Sequence, residues 1–279
     1  MIPQKVREPQ CETKQESVRD LEQLQIDFVA VREHEGYMKR KTAEPLSSKT
    51  CKRKSAKNNP RISRIPQAGV VGIVDSAAAW RVAERLPEGA VDFLEWRADA
   101  LGLAIPRATV PWIVTARHPD EGGQHALSAA ARRDALLRLL PEAALVDIEV
   151  RSLATMKTVV QQAQTAAVRV LASFHDFKKT PAPARLREVL RRAEDQGADA
   201  VKIATVTTSA RDIARLLELF GSTPLPLALM GMGSLGMASR VLFAACGSVL
   251  NYGWLHQANV PGQWAAVDLR GVLKKCAGA

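Results

Sequence analysis

The spacing of apolar and polar positions changes along the chain, and the change marks the start of a folded domain. From Gly69 onward, short apolar runs alternate with stretches in which apolar residues recur every three or four positions. The short runs are typical of buried β-strands, and the longer stretches predict amphipathic helices. Regular alternation of the two patterns indicates repeated β-α units around a mostly parallel sheet.

Eight of the apolar runs have the length and composition of buried strands. They cover residues 70–74, 91–97, 111–117, 144–150, 169–177, 200–206, 225–231 and 248–254. Helical spacing falls between them, most clearly over residues 128–142, 182–196 and 209–220. Eight strands with crossover helices predict an α/β fold of the closed (β/α)8 TIM-barrel type. The second crossover, residues 100–110, leaves room for barely one helical turn, so an open, doubly wound sheet is the alternative fold.

Residues 1–66 differ from this domain in composition and charge. They hold 15 Lys and Arg against 9 Asp and Glu, so they carry +6 of the chain's net charge of +10. Helical spacing occurs there only over residues 18–31, and residues 39–66 are basic and rich in polar and helix-breaking residues. We therefore predict a largely disordered basic extension over residues 1–66 and a barrel domain over residues 67–279. A solvated extension is the preferred interpretation, and a nucleic-acid-binding tail is the alternative.

Composition and cysteine spacing exclude several other classes of protein. No apolar run approaches the roughly 20 residues that a membrane-spanning helix needs. The first residues also lack the apolar stretch of a secretory signal. The four cysteines, Cys11, Cys51, Cys246 and Cys276, are too far apart for a zinc knuckle or a redox pair. We expect a cytoplasmic protein with no structural metal and no membrane partner.

The predicted strands end in polar residues, and in a barrel the C-terminal strand ends form the active site. The polar residues at these positions are Glu95, Arg97, Asp99, Thr115, Arg117, Glu121, Asp147, Glu149, Ser173, His175, Asp176 and Lys202. Their concentration at the ends of apolar strands predicts that the site is built on strands two to six.

Lys202 lies inside the apolar run 200–204, where an ammonium is costly without a partner or a task. Burial disfavours the charged form, and the neutral amine is the nucleophile that converts a ketone into an imine. Lys202 is therefore the candidate for Schiff-base chemistry. The purely structural alternative pairs it with Glu95, Asp147 or Glu149 inside the barrel.

His175 ends the neighbouring strand and is expected within reach of a group bonded to Lys202. An iminium acidifies the adjacent C–H bond, and one histidine can remove that proton and then protonate a departing hydroxyl. This pair predicts a dehydratase that needs no metal. We expect Asp147 or Glu149 to orient the imidazole and to support its charge, or else to pair with Arg97 or Arg117.

Two later segments complete the candidate site. Residues 230–240 are rich in glycine and end in Arg240, whose guanidinium is suited to gripping both oxygens of a carboxylate. The glycines and the following helix N-terminus are a weak candidate for an anion cradle, and a solvated helix arginine is the alternative for Arg240. Residues 258–263 form a turn that would offer the Asn259 and Gln263 amides to substrate hydroxyls.

Taken in order along residues 69–276, these motifs resemble the type I 3-dehydroquinate dehydratases. The segments that carry the resemblance are 95–99 (EWRAD), 115–117 (TAR), 121–123 (EGG), 147–149 (DIE), 173–177 (SFHDF), 197–204 (GADAVKIA), 230–240 and 261–263 (PGQ). So many spaced motifs in one order are far more specific than any single motif.

The resemblance implies a lyase of the shikimate pathway, in aromatic amino acid biosynthesis, that converts 3-dehydroquinate to 3-dehydroshikimate by cis-dehydration. It implies no cofactor and often a homodimer. Lys202 is similar to the imine-forming lysine and His175 to the general acid/base. The residues expected to hold the substrate are Glu95, Arg97, Arg117, Arg240, Asn259 and Gln263, with Glu121, Asp147 and Glu149 in support.

The chain departs from the family pattern at Asn259, where the family usually has Ser, so lid closure or affinity is expected to differ. Two other functions stay open at this stage. One is another Schiff-base barrel, such as an aldolase or transaldolase, against which the His175 motif and Arg240 argue. The other is a non-catalytic binding barrel with a nucleic-acid-binding tail, against which the costly interior charges argue.

Overall fold

Eight parallel strands form the centre of the protein, for which a computed structural model describes residues 65–278. They pair in the order β7-β6-β5-β4-β3-β2-β1-β8. Between β7 and β8, the Val249 amide donates to the Leu227 carbonyl at 2.8 Å, and the Leu229 amide donates to the Ser248 hydroxyl at 3.0 Å. These contacts bring the two sheet edges together, so the fold is a nearly closed (β/α)8 barrel and not an open sheet. The strands are β1 (Gly69–Val74), β2 (Phe93–Arg97), β3 (Trp112–Thr115), β4 (Ala143–Glu149), β5 (Arg169–Asp176), β6 (Ala200–Val206), β7 (Leu227–Met232) and β8 (Leu250–Trp254).

Helices follow the strands around the outside of the barrel. Ser76, Ser128 and Ser209 begin three of them by accepting a hydrogen bond from a backbone N–H of the first turn. The helix after β2 is one turn long, as the short second crossover predicts. In the described part of the chain the α-helices are α1 (Ala77–Ala83), α2 (Ala98–Leu101), α3 (Ala129–Leu139), α4 (Lys157–Thr165), α5 (Pro183–Asp195), α6 (Ala210–Leu217), α7 (Gly236–Ala245) and α8 (Ala266–Cys276).

Side chains alternate between the two faces of each strand, and this alternation builds two separate cores. One face packs against the helices, as Val114 and Ile203 do. The other points into the barrel, where an apolar layer includes Phe93, Leu145 and Leu171. Two residues further along β2 to β6 the inward position is polar. These next inward residues include Glu95, Thr115, Asp147, Ser173 and Lys202, and all are buried.

All eight predicted strands are confirmed, with ends that differ by at most two residues from those of the structure. The predicted disorder and the alternative nucleic-acid tail fall on residues 1–66, and residues 1–64 lie outside the described range. Both stay predictions. None of the helices within residues 65–278 is long and apolar enough to cross a membrane.

Candidate active site

Lys202 lies at the floor of a cavity at the C-terminal end of the barrel and is 3% exposed. Its Nζ atom is 2.5 Å from Asp147 Oδ2 and 3.3 Å from Glu95 Oε2. The same atom lies 4.3 Å from the centre of the ring of Tyr252 on β8. Two carboxylates and an aromatic face therefore fix the position of the amine. The predicted pairing of Lys202 is confirmed for Glu95 and Asp147, and Glu149 makes no ion pair with it.

The carboxylate of Asp147 is held by Arg117 and Ser173 as well as by Lys202. Arg117 donates from Nη2 to Asp147 Oδ2 at 2.8 Å and from Nη1 to Oδ1 at 3.1 Å, and the Ser173 hydroxyl donates to Oδ1 at 2.5 Å. Burial alone would raise the pKa of Asp147, but the charges of Arg117 and Lys202 outweigh it and hold that pKa well below its usual range. Asp147 is therefore an ionised carboxylate that faces the amine.

Glu149 lies one inward position further along β4 and is fully buried. Its Oε1 accepts from Arg117 Nη1 at 3.1 Å and from the backbone N–H of His118 at 2.8 Å, and its Oε2 contacts Arg132. Asp147 and Glu149 thus both pair with Arg117, as one of the sequence-based alternatives predicted. Burial would lower the pKa of Arg117, but these two carboxylates raise it well above its usual value.

His175 ends β5, and its imidazole is held by Glu121. The Nδ1 atom of His175 is 3.0 Å from Glu121 Oε2, and the backbone N–H of His175 donates to the same oxygen at 3.0 Å. The orienting contact that was predicted for Asp147 or Glu149 is made by Glu121 instead, because the loop after β3 carries this carboxylate over the end of β5. Asp147 acts on the imidazole only through its charge.

The protonation states of this pair follow from burial and nearby charge. Burial and the positive charges of Arg117 and Lys202 hold the pKa of His175 well below its usual range. Burial and the negative charge of Glu149 raise the pKa of Glu121 from 4.5 to about 7. The imidazole is therefore neutral at neutral pH and able to act as a base.

One cavity of about 260 Å³ collects most of the predicted site residues. Asp147 and Glu149 lie behind its wall and reach it through Lys202 and Arg117. Apolar side chains, among them Met230 and Phe177, complete the lining. The predicted residues that line it are Glu95, Arg97, Arg117, Glu121, His175, Lys202, Arg240, Asn259 and Gln263.

Arg240 reaches the cavity from α7 and is 2% exposed, so the alternative of a solvated helix arginine is wrong. Its Nη1 donates to the Tyr252 carbonyl at 2.9 Å, while its buried Nε has no hydrogen-bond partner. Among the described residues no carboxylate forms an ion pair with it. Burial lowers the pKa of Arg240 to about 10. A buried cation of this kind is suited to an anionic group of a ligand.

Arg97 differs from Arg240 because a carboxylate already neutralises it. Its Nε and Nη2 donate to Asp99 at 3.0 and 2.8 Å, and Nη2 also donates to the Gly122 carbonyl at 2.8 Å. Asp99 in turn accepts from the backbone N–H groups of Arg117 and Gln124 at 3.1 and 3.0 Å. Arg97 therefore joins the loop after β3 to β2, as well as lining the cavity.

The loop after β8 folds over the cavity and contacts neighbouring loops. The Asn259 side-chain amide donates to Asp75 after β1, and the Asn259 backbone N–H donates to Gln263 Oε1 at 3.0 Å. A Cβ atom on Gly262 would lie 2.2 Å from the Gly233 carbonyl oxygen. The glycines after β7 therefore make room for this loop, and the predicted anion cradle stays a prediction.

Two residues of the site, Arg132 and Tyr252, were not predicted. Arg132 shares a helix face with Leu136 and Leu139, four and seven positions later, whereas its neighbour Arg133 does not. That spacing is a signal for burial. Tyr252 lies two positions after the inward-facing Leu250 of β8, and strand alternation was the available signal.

The fold and the cavity together define a class of protein: a (β/α)8-barrel enzyme in which a buried lysine, a neutral histidine and an uncompensated arginine face one small cavity. Comparison with known proteins identifies the family within that class. The family model of type I 3-dehydroquinase matches residues 71–278. The chain belongs to this family and is a hydro-lyase that catalyses a dehydration in the shikimate pathway.

Individual relatives agree with this assignment. A 3-dehydroquinate dehydratase of Klebsiella pneumoniae is 35% identical over 216 residues, which cover 68% of this chain and 85% of that protein. The crystal structure of 3-dehydroquinate dehydratase from Geobacillus kaustophilus is 27% identical and superimposes with a TM-score of 0.65, covering 75% of this chain and 91% of that one. A type I enzyme from Clostridium difficile, 24% identical, has the same fold with a TM-score of 0.67, covering 76% and 93% of the two chains. The predicted resemblance is confirmed, and the aldolase and binding-barrel alternatives are set aside.

Proposed function

We propose that the chain converts 3-dehydroquinate to 3-dehydroshikimate by cis-dehydration through an imine on Lys202, with His175 as the general acid/base. The observation that carries this proposal is that the amine of Lys202 and the imidazole of His175 line one small cavity together with the uncompensated Arg240. A ketone with a carboxylate at a distance fits these three groups.

The reaction begins when the neutral amine of Lys202 attacks the ketone carbon and the resulting carbinolamine loses water to give an iminium. The iminium withdraws electrons from the adjacent C–H bond, and His175 removes that proton to give an enamine. The enamine expels the β-hydroxyl, which leaves as water after it takes the proton back from His175. Water then hydrolyses the conjugated iminium, which returns the lysine and releases the enone. One molecule of water is lost in the net reaction.

The low pKa of His175 supports its role as the base. When the Nδ1–H of His175 donates to the Glu121 carboxylate, the Nε2 lone pair is left to face the substrate. The ionised Glu121 also stabilises the imidazolium that forms after proton removal. Because the pKa of Glu121 is about 7, this support is present above neutral pH and is lost below it.

The remaining residues hold the amine and the substrate. Asp147 and Glu95 fix the position of the amine. Arg240 binds the substrate carboxylate, and its unpartnered Nε supplies a further donor for it. The residues proposed to contact the hydroxyl groups of the substrate are Glu95, Arg97, Arg117, Asn259 and Gln263.

The test is to incubate the protein with 3-dehydroquinate and sodium borohydride and to locate the reduced adduct by peptide mass spectrometry. We expect the adduct on Lys202, with loss of activity, and the absorbance of the enone in unreduced samples. The K202M variant is the control, and it should show neither adduct nor enone. Enone formation without a trapped adduct would refute the imine mechanism, and the absence of both would refute the assignment of the substrate.

The domain boundary, the assembly and the location are also proposals. We propose that residues 67–279 contain all the catalytic groups and that the chain works as a cytoplasmic homodimer, as the family resemblance implies. Deletion of residues 1–66 should leave turnover nearly intact, and a large loss of activity would contradict this. Light scattering of the full chain tests the dimer.

A further inference from the structure

Five buried charged side chains of alternating sign form a continuous row from α3 to the amine of Lys202. Arg132 contacts Glu149, Glu149 pairs with Arg117 at 3.1 Å, and Arg117 pairs with Asp147 at 2.8 Å. Asp147 then pairs with Lys202 at 2.5 Å. Every member is at most 3% exposed, so water screens none of these interactions effectively.

Arg132 is the end of this row that lies farthest from the cavity. Its Nε donates to the Ala116 carbonyl at 2.7 Å, and its Nη2 lies 3.3 Å from the Ser152 hydroxyl. It does not line the cavity that holds Lys202. Arg132 is therefore a fixed positive charge outside the cavity, and its contact with Glu149 is its charged link to the rest of the row.

Glu149 is shared between two guanidinium groups and one backbone N–H. It accepts from Arg117 and from the His118 amide, and it contacts Arg132 with its other oxygen. If Arg132 were absent, the whole negative charge of Glu149 would act on Arg117. The guanidinium of Arg117 would then neutralise Asp147 less completely, and Asp147 would stabilise the ammonium form of Lys202 more strongly.

We propose that Arg132 is a positioning residue that neutralises Glu149, so that Arg117 stays on Asp147 and the amine of Lys202 is available as a nucleophile near neutral pH. The inference rests on the proposed imine function. It assigns a role in the reaction to a residue on an outer helix, one layer behind the cavity wall.

Side chains from the strands and loops around Lys202 also influence the charge of its amine, so they contribute to the pH dependence. The side chains that β1 and β7 contribute to the cavity around the amine are apolar. They are Ile73 and Met230. The titratable or charged groups around the amine are Glu95 and Arg97 of β2, Arg117 and Glu121 after β3, Asp147 of β4, His175 of β5, Arg240 of α7 and Tyr252 of β8. An Arg132 variant changes none of these groups. Because Glu149 also raises the pKa of Glu121, each profile is measured again with E121Q added, which removes that second titration.

The experiment measures the rate of borohydride-trapped adduct formation on Lys202 against pH, in the full chain. Removal of the positive charge in R132M should move the midpoint of this profile upward by about half to one pH unit, since more alkaline conditions are needed to release the amine. R133M is the matched control, because Arg133 is the next residue of the same helix and pairs at the surface with Asp134. R133M should leave the midpoint unchanged. R132K keeps the positive charge, so its midpoint should lie close to that of the wild-type chain.

A second variant keeps the inference testable if R132M does not fold. E149Q removes the negative charge and should move the midpoint downward by a similar amount, and the double variant R132M with E149Q should return it toward the wild-type value. A purely structural role would lower the rate at every pH without these opposite shifts. An unchanged midpoint in R132M or E149Q, with the adduct still on Lys202, would overturn the inference. Absence of the adduct in the wild-type chain would instead overturn the proposed function.

Discussion

Replacement of Arg240 by methionine should stabilise the protein while it weakens substrate binding. Arg240 is a buried cation without an acidic partner in the described part of the chain, and its Nε makes no hydrogen bond. Methionine is unbranched and uncharged and matches arginine as far as Nε, so R240M removes the buried charge and keeps the packing of the side-chain stem. The two effects have opposite signs because the buried charge of Arg240 destabilises the ligand-free protein and is neutralised only when the anionic ligand binds.

The magnitude follows from the pKa of Arg240, which burial lowers from 12.5 to about 10. A shift of this size in a base means that folding disfavours the charged form by about 3 kcal/mol at every pH below the lowered value. R240M removes that cost and loses the hydrogen bond to the Tyr252 carbonyl, which is worth about 1 to 2 kcal/mol. The free energy of unfolding should therefore rise by about 1 to 2 kcal/mol.

Urea unfolding of the ligand-free protein measures the first effect, and steady-state kinetics measure the second. We expect KM for 3-dehydroquinate to rise about 100-fold, with a smaller change in kcat, because Arg240 holds the substrate equally in the ground and transition states. R132M is the comparison, since Arg132 is equally buried but paired with Glu149. The R132M substitution should lower the free energy of unfolding by about 3 kcal/mol, because it leaves the buried Glu149 with one cation fewer. A loss of stability in R240M would refute the claim that Arg240 is uncompensated.

Three further predictions address the imidazole, its carboxylate partner and the loop over the cavity. H175Q should lower kcat by a factor of about 100 to 10,000 while borohydride still traps the substrate on Lys202, as mass spectrometry would show. Since the pKa of Glu121 is raised from 4.5 to about 7, the folded chain keeps a proton that the unfolded chain releases. The free energy of unfolding should fall by about 3 kcal/mol as the pH rises through that interval. Urea unfolding of E121Q should lack this fall, while the exposed-site control E142Q should keep it. G262A should raise KM and lower Tm more than G102A, because both glycines have φ near +75° (77° and 75°) but only a Cβ at Gly262 meets backbone atoms; equal effects would show that strain alone matters.

The strands and the centre of the site were predictable because both depend on local periodicity. Inward positions recur every second residue, so Phe93, Glu95 and Arg97 had to face the same side of β2. The C-terminal ends of parallel strands meet at one end of a barrel, which brought Lys202 and His175 together without further information.

The contacts that were not predictable depend on loops and on helix rotation. Glu121 lies in the loop after β3, and nothing in its local sequence indicates that it reaches His175 on β5. The partner of the imidazole was therefore assigned to the wrong carboxylates, Asp147 and Glu149. The packing of the glycines after β7 against Gly262 was not predicted, because Gly262 lies on another loop that is distant in sequence.

The distribution of charge explains how one barrel end can hold so many buried ionic groups and still favour a particular ligand. On the side of β2 to β6, each cation has a carboxylate partner: Arg97 has Asp99, Arg117 has Asp147 and Glu149, and Lys202 has Asp147 and Glu95. Removal of Asp99 would leave the guanidinium of Arg97 without a carboxylate, and removal of any other member would unbalance the charges that its neighbours share. On the side of α7, Arg240 has no such partner among the described residues. An anionic group that binds there would neutralise a buried charge, so this side favours an anionic ligand most strongly. In the proposed reaction, a substrate that is both a ketone and a carboxylate is therefore expected to be oriented by charge before it bonds to Lys202.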